Sequence, residues 1–255
     1  MEISLSQSFL IALAVGLASG SVGAFVVLRR MALVGDALSH VALPGIALAL
    51  AYEFDPFWGV AVSLIGAAFV VFWLETKTKL PSEALVGLLF TASLAVGILT
   101  IPDEEIIHSL FGEFPLMPAY LLMLIVATAL IATAFVFFST RRFAFRIIAP
   151  ELAEASGVKQ TNNLLFLIVF AIVVALGIKL VGTLLMGALT IIPAAIARNV
   201  TRGMKAYIVI SAVLGMAIAA LGVLVAHSFG LLPGPSIILL GTSLFIVSLF
   251  WSVKV

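Results

Sequence analysis

Apolar residues come in nine long stretches, each about the length that crosses a hydrocarbon core of about 30 Å as a helix. They cover 8–28, 33–51, 57–74, 84–101, 119–138, 164–178, 180–197, 206–226 and 236–251. Of the 255 residues 64% are hydrophobic and 10% are charged. A soluble domain carries about 25% charge. The expected fold is an all-α polytopic membrane protein, a single transmembrane domain over 1–255. It is a bundle of eight or nine transmembrane helices with one short or broken span. The doubtful spans are the sixth and seventh, which are short and separated only by Lys179 and Gly182. The first residues, Met1-Glu2-Ile3-Ser4-Leu5, lack the basic region of a cleaved signal peptide, so the first stretch is expected to be a retained span.

Charge fixes the expected orientation. Arg29 and Arg30, Lys77 and Lys79, Arg141, Arg142, Arg146 and Lys159, Arg198, Arg202 and Lys205, and Lys254 all follow odd-numbered stretches. These are twelve of the thirteen Lys and Arg residues. The intervening loops hold Glu53, Asp55, Asp103, Glu104, Glu105 and Glu113. The positive-inside rule then puts the N-terminus outside and the C-terminus inside. Nine crossings satisfy it throughout. If the seventh stretch is re-entrant, the last two spans invert and carry Arg198, Arg202 and Lys205 outside.

The second stretch keeps two polar side chains, Asp36 and His40, inside Arg29-Arg30-Met-Ala-Leu-Val-Gly-Asp-Ala-Leu-Ser-His-Val-Ala-Leu-Pro44-Gly45. On a helix this spacing puts both on one face, one turn apart. A charged residue near the bilayer centre costs about 2.5–3.5 kcal/mol on insertion scales. Neutral imidazole and carboxylate suit Zn²⁺, Mn²⁺ and Fe²⁺, and with no cysteine any metal must be met by N and O ligands. Two ligands do not make a tight site, which suits a conduit that must release its ion. Ser39, water, a symmetry mate or a carbonyl freed by Pro44 could complete the coordination. A proton relay and a buried structural pair fit the same spacing. Entered from the cytoplasmic side after Arg30, the helix carries His40 about 6 Å deeper than Asp36. The pair is expected in the inner half of the membrane or near its middle.

Five further segments stand out. Gly16, Ser19, Gly20 and Gly23 form small-residue faces for close helix contact, within the bundle or across a dimer. The external loop 102–118 holds Glu104 and His108, which a short helix would align, either as a solvated amphipathic turn, or as part of a docking surface or an outer mouth that concentrates cations. In the internal loop 140–161, Pro150-Glu151-Leu152-Ala153 to Gly157 reads as a short capped helix, either a lever for a soluble partner or an interfacial helix. Gly182, Gly187 and Pro193 punctuate an apolar span, as in spans that line a transport path or in a kinked packing helix. His227 opens the last external loop and reads as an interface residue.

No His-Glu-x-x-His, Gly-x-Ser-x-Gly or Gly-x-x-x-x-Gly-Lys-[Ser/Thr] motif is present. The chain is not expected to be an enzyme. If ATP powers it, another chain binds the nucleotide. A proton-coupled secondary metal carrier and an ABC permease for a metal chelate remain as alternatives. No nucleic-acid partner is expected.

Met31 to Gly45, with Asp36, His40 and Pro44, resembles the signature of permease subunits of bacterial zinc- and manganese-type ABC transporters. Pro150 to Gly157 looks like the family's cytoplasmic coupling segment, within about 141–161. Val181 to Ala195 looks like its late-span signature, and Leu232-Pro-Gly-Pro-Ser236 matches its last external turn. The resemblance covers nearly the whole chain. It implies a homodimeric permease of the cell membrane that imports a divalent metal ion, with Asp36 and His40 as metal contacts. It implies two cytoplasmic ATPase subunits, coupled through Pro150, Glu151, Leu152, Ala153 and Gly157, and an extracytoplasmic metal-binding protein. The metal is the transported substrate, and no cofactor is expected to be permanently bound.

Overall fold

The computed structural model describes residues 2–78, 80–101, 110–112, 117–149, 152 and 161–251. Among these residues the chain is helical, with no strand. In chain order the helices are α1 (Glu2–Leu28), α2 (Ala32–His40), α3 (Leu43–Ala51), α4 (Pro56–Thr78), α5 (Ser82–Thr100), α6 (Ala119–Ile148), α7 (Thr161–Val181), α8 (Met186–Val200), α9 (Met204–Phe229) and α10 (Pro233–Ser248). A 3₁₀ turn, Leu249–Trp251, follows. Five stretches of helix, in α1, α4, α6, α7 and α9, are long and apolar enough to cross a membrane by themselves.

Their burial sorts them. The most apolar window of α1 is 78% buried and that of α7 is 67%, against 39% for α4 and 33% for α6. α1 and α7 are therefore central, while α4 and α6 turn most of their apolar surface outward. α1 is gripped by α9, α8, α7 and α6. Its small residues make that grip possible. A Cβ on Gly16 would strike the Gly215 carbonyl on α9, one on Gly20 the Ser211 carbonyl, and one on Gly23 the Thr190 carbonyl on α8. The small-residue faces thus serve packing inside the bundle. Backbones this close gain dispersion contacts that larger side chains would forbid.

The two ends of the bundle differ. At one end Arg29, just past α1, lies over the Phe166 ring of α7 at 4.2 Å and beside Phe143 of α6. Tyr207, near the start of α9, donates its hydroxyl to the Ala24 carbonyl at 3.2 Å. Asn199 of α8 donates to Ser248 of α10 at 2.9 Å. At the other end Gln7 exchanges hydrogen bonds with the backbone of Met117 at 3.1 and 3.2 Å. The Leu184 N–H donates to the Leu110 carbonyl at 3.1 Å. The start of α1 and the end of α10 therefore lie at opposite ends.

Three helix boundaries differ from those expected. α6 runs ten residues past 138, so Arg141 and Arg142 ride on a helix where a loop was expected to begin at 140. Nothing in that stretch breaks a helix, and the polar residues mark where the helix leaves the apolar layer. The break between the sixth and seventh stretches is at Gly182, with φ +87°, and not at Lys179, which sits in the last turn of α7. A lysine there favours the helix C-terminus and can extend its head toward the interface. α8 is then the short one, with 15 residues. Finally, the second stretch is two helices instead of one.

Candidate functional site

That second break bears on Asp36 and His40. Pro44 sits in the first turn of α3 and has no N–H to donate to the His40 carbonyl. The ladder tightens in response. Val41 and Ala42 donate to the carbonyls three residues back, Leu38 and Ser39, at 3.1 and 3.3 Å. Both keep right-handed helical backbone angles, so the chain continues forward with its hydrogen bonding interrupted. The Val41 carbonyl is met instead by the Ser63 hydroxyl of α4 at 2.6 Å.

Asp36 and His40 both belong to α2, so the one-turn spacing survives on a nine-residue helix with His40 as its last residue. The His40 side chain is 5% exposed. Its ring meets Phe90 of α5 edge-on, with centroids 5.2 Å apart. Ser39 is fully buried. At Gly35 a Cβ would come within 3.3 Å of the Phe170 ring and 3.7 Å of the Gly187 backbone. Phe170 lies near the middle of the 21 residues of α7, so the backbone at Asp36 lies near the middle of the bundle. Gly187, at the start of α8, lets that helix approach α2. Among the described residues no cluster of three or more His, Cys, Asp or Glu is suited to hold a metal.

Sequence reasoning did not find Phe90 or Ser63. Phe90 is one of 19 phenylalanines and carries no local signal. Gly35 and Gly187 were legible as small residues within singled-out motifs, and their mutual approach was not.

The other expected site residues fall differently. Leu152 is helical and 63% exposed. Pro150, Glu151, Ala153 and Gly157 lie outside the described residues, as do Glu104 and His108. His227 is half-buried in the last turn of α9. The loop 102–118 is described at its middle, where Gly112 (φ +72°) and Gly182 stack backbone to backbone. A Cβ on Gly234 of α10 would collide there with the Val181 and Phe111 carbonyls.

Residues 2–252 match the ABC 3 transport family. The chain belongs to that family. It resembles the manganese import system permease protein ScaB of Streptococcus gordonii, with 29% identity over 98% of this chain and 92% of that one. It resembles the high-affinity zinc uptake system membrane protein ZnuB of Haemophilus influenzae at 28%, covering 96% and 97% of the two chains. The solved structure of PsaBC from Streptococcus pneumoniae in complex with a Fab superimposes with a TM-score of 0.83 at 29% identity, covering 98% of this chain and 92% of that one. As a member of the ABC 3 transport family the chain is a multi-pass membrane transport subunit and not itself an enzyme.

Proposed function

We propose that this chain is the permease of an ATP-driven importer that carries a divalent transition metal ion, Mn²⁺ or Zn²⁺, into the cytoplasm. The observation that carries the reading is α2. It sets a buried histidine one turn after an aspartate, near mid-bundle, beside a helix break. Asp36 and His40 offer the ion a transient N and O pair while it passes. The likeness to manganese and zinc permeases supports the choice of cargo.

The chain crosses the membrane nine times, α2 and α3 together forming the second crossing. The end bearing Arg29, Arg198 and Arg202 faces the cytoplasm, and the N-terminus is outside. Two copies pair around a central path. A pair of ATPase subunits acts on the segment Pro150, Glu151, Leu152, Ala153 and Gly157, and the exposure of Leu152 supports this role. An extracytoplasmic metal-binding protein delivers the ion to the outer loops, where Glu104 and His108 attract it.

Reconstitution tests the reading. The complex with its ATPase subunits should take up Mn²⁺ or Zn²⁺ into liposomes only with ATP and the binding protein present. Uptake by the purified chain alone, driven by a pH gradient, would overturn it in favour of a secondary carrier.

A further inference from the structure

We propose that the cavity between the ends of α1 and α8 and the start of α9 binds the phosphate headgroup of an anionic phospholipid in the cytoplasmic leaflet. The leaflet assignment rests on the orientation proposed above. The cavity has a volume of about 190 Å³ and is lined by Leu28, Arg198, Thr201, Arg202, Met204 and Tyr207, among others. A cavity of this size holds several waters, and so has room for a phosphate group.

Its polar wall is cationic. Among the described residues no carboxylate pairs with Arg198, Arg202 or the neighbouring Lys205. The two hydroxyls are already committed as donors, Thr201 to the Ala197 carbonyl at 2.7 Å and Tyr207 to the Ala24 carbonyl at 3.2 Å. Recognition of an anion therefore falls to the guanidinium groups, whose planar forks match phosphate oxygens. The start of α9 adds to the field. It has no acidic residue in its first turn and no side-chain cap, and Gly203 leaves open space beside it.

The surroundings favour a lipid over a free ion or a soluble protein. Leu28 and Met204 give the cavity an apolar flank. Lys205 is exposed on the first turn of α9, and Val209 and Val213 follow it at one-turn spacing as exposed apolar residues on the outer face of that helix. A phospholipid fills both parts, its phosphate on the arginines and the start of its acyl chains against Leu28 and Met204. A basic pocket between spans on the cytoplasmic side is the general form of such sites.

The test uses the full chain in nanodiscs of phosphatidylcholine, with or without phosphatidylglycerol, and native mass spectrometry to count retained lipid. The wild type should retain phosphatidylglycerol against excess phosphatidylcholine. R198Q/R202Q should weaken retention about thirtyfold and K205Q about fivefold. R198K/R202K should recover part of the loss, because charge is kept while the fork is not. Melting temperatures are read in the same discs. If R198Q/R202Q fails to fold, K205Q and R198K/R202K still decide. Equal retention by wild type and variants would overturn the proposal. So would displacement of the lipid by inorganic phosphate at matched concentration, or loss of ATPase-subunit binding with lipid retention intact. Retention needs neither metal nor ATP, so it stands or fails separately from the import reading.

Discussion

Ser211 donates its hydroxyl hydrogen to the Gly20 carbonyl at 2.5 Å, and its own carbonyl occupies the space a Gly20 side chain would need. One contact thus fastens α9 to α1 and forbids any larger residue at position 20. Gly20→Val must push the two helices apart, and overpacking of this kind costs about 1–3 kcal/mol. The melting temperature of the purified protein in detergent should fall. Ser211→Ala removes only the hydrogen bond and should lower it less.

Gly182→Ala should destabilise the opposite end. A left-handed backbone costs an ordinary residue about 1–2 kcal/mol, and the new Cβ would meet the Leu110 carbonyl and the Gly112 backbone. Hydrogen exchange at the Leu184 amide, which donates to Leu110, should speed up while exchange along α6 is unchanged.

Ser63→Ala should leave the Val41 carbonyl without the hydroxyl that meets it. The expected loss is about 1 kcal/mol, within the range for a buried partner removed. Thermal unfolding reads the loss, and Ser63→Thr, which keeps the hydroxyl, should recover part of it.

Asp36→Ala and His40→Ala should each reduce metal uptake to background in the reconstituted complex. Co-purification of the ATPase subunits should be unaffected. Full uptake by either variant would remove that residue from the ion's path.

Glu151→Lys should weaken association with the ATPase subunits by roughly tenfold, equivalent to about 1.4 kcal/mol. A pull-down with unchanged recovery would count against the coupling role of the Pro150 to Gly157 segment.

Much of the bundle was legible because apolar length is a strong signal. α1, α4, α5 and α9 coincide with apolar stretches to within a few residues at most ends. At the start of α4 the Asp55 carboxylate accepts the Phe57 N–H at 2.9 Å, a cap that apolar length alone did not show. Hydropathy failed where a boundary is set by hydrogen bonding or backbone angle. It ended α6 at Phe138, where the apolar run stops, although Ser139 to Ile148 continue the helix. It ended the sixth stretch at Ile178, although of the two separators, Lys179 and Gly182, only Gly182 turns the chain. It read 33–51 as one helix, because a proline's missing donor does not lower hydropathy. At the site, spacing correctly gave Asp36 and His40 a common helix. The Phe90 ring and the Ser63 hydroxyl come from distant stretches, and only tertiary packing brings them there.

The break at Val41 and Ala42 divides one crossing between different neighbours. α2 lies against α8 and α5, whereas α3 lies against α4 and α5. An unbroken helix gripped by both α8 and α4 would lock them together as a rigid strut. Here the joint falls at Val41 and Ala42, where the ladder tightens to bonds three residues back, and α5 lies along both halves. His40 is the last residue before that joint. It therefore belongs to the half that packs on α8 and α5, while the Ser63 hydroxyl of α4 meets the backbone one residue further on.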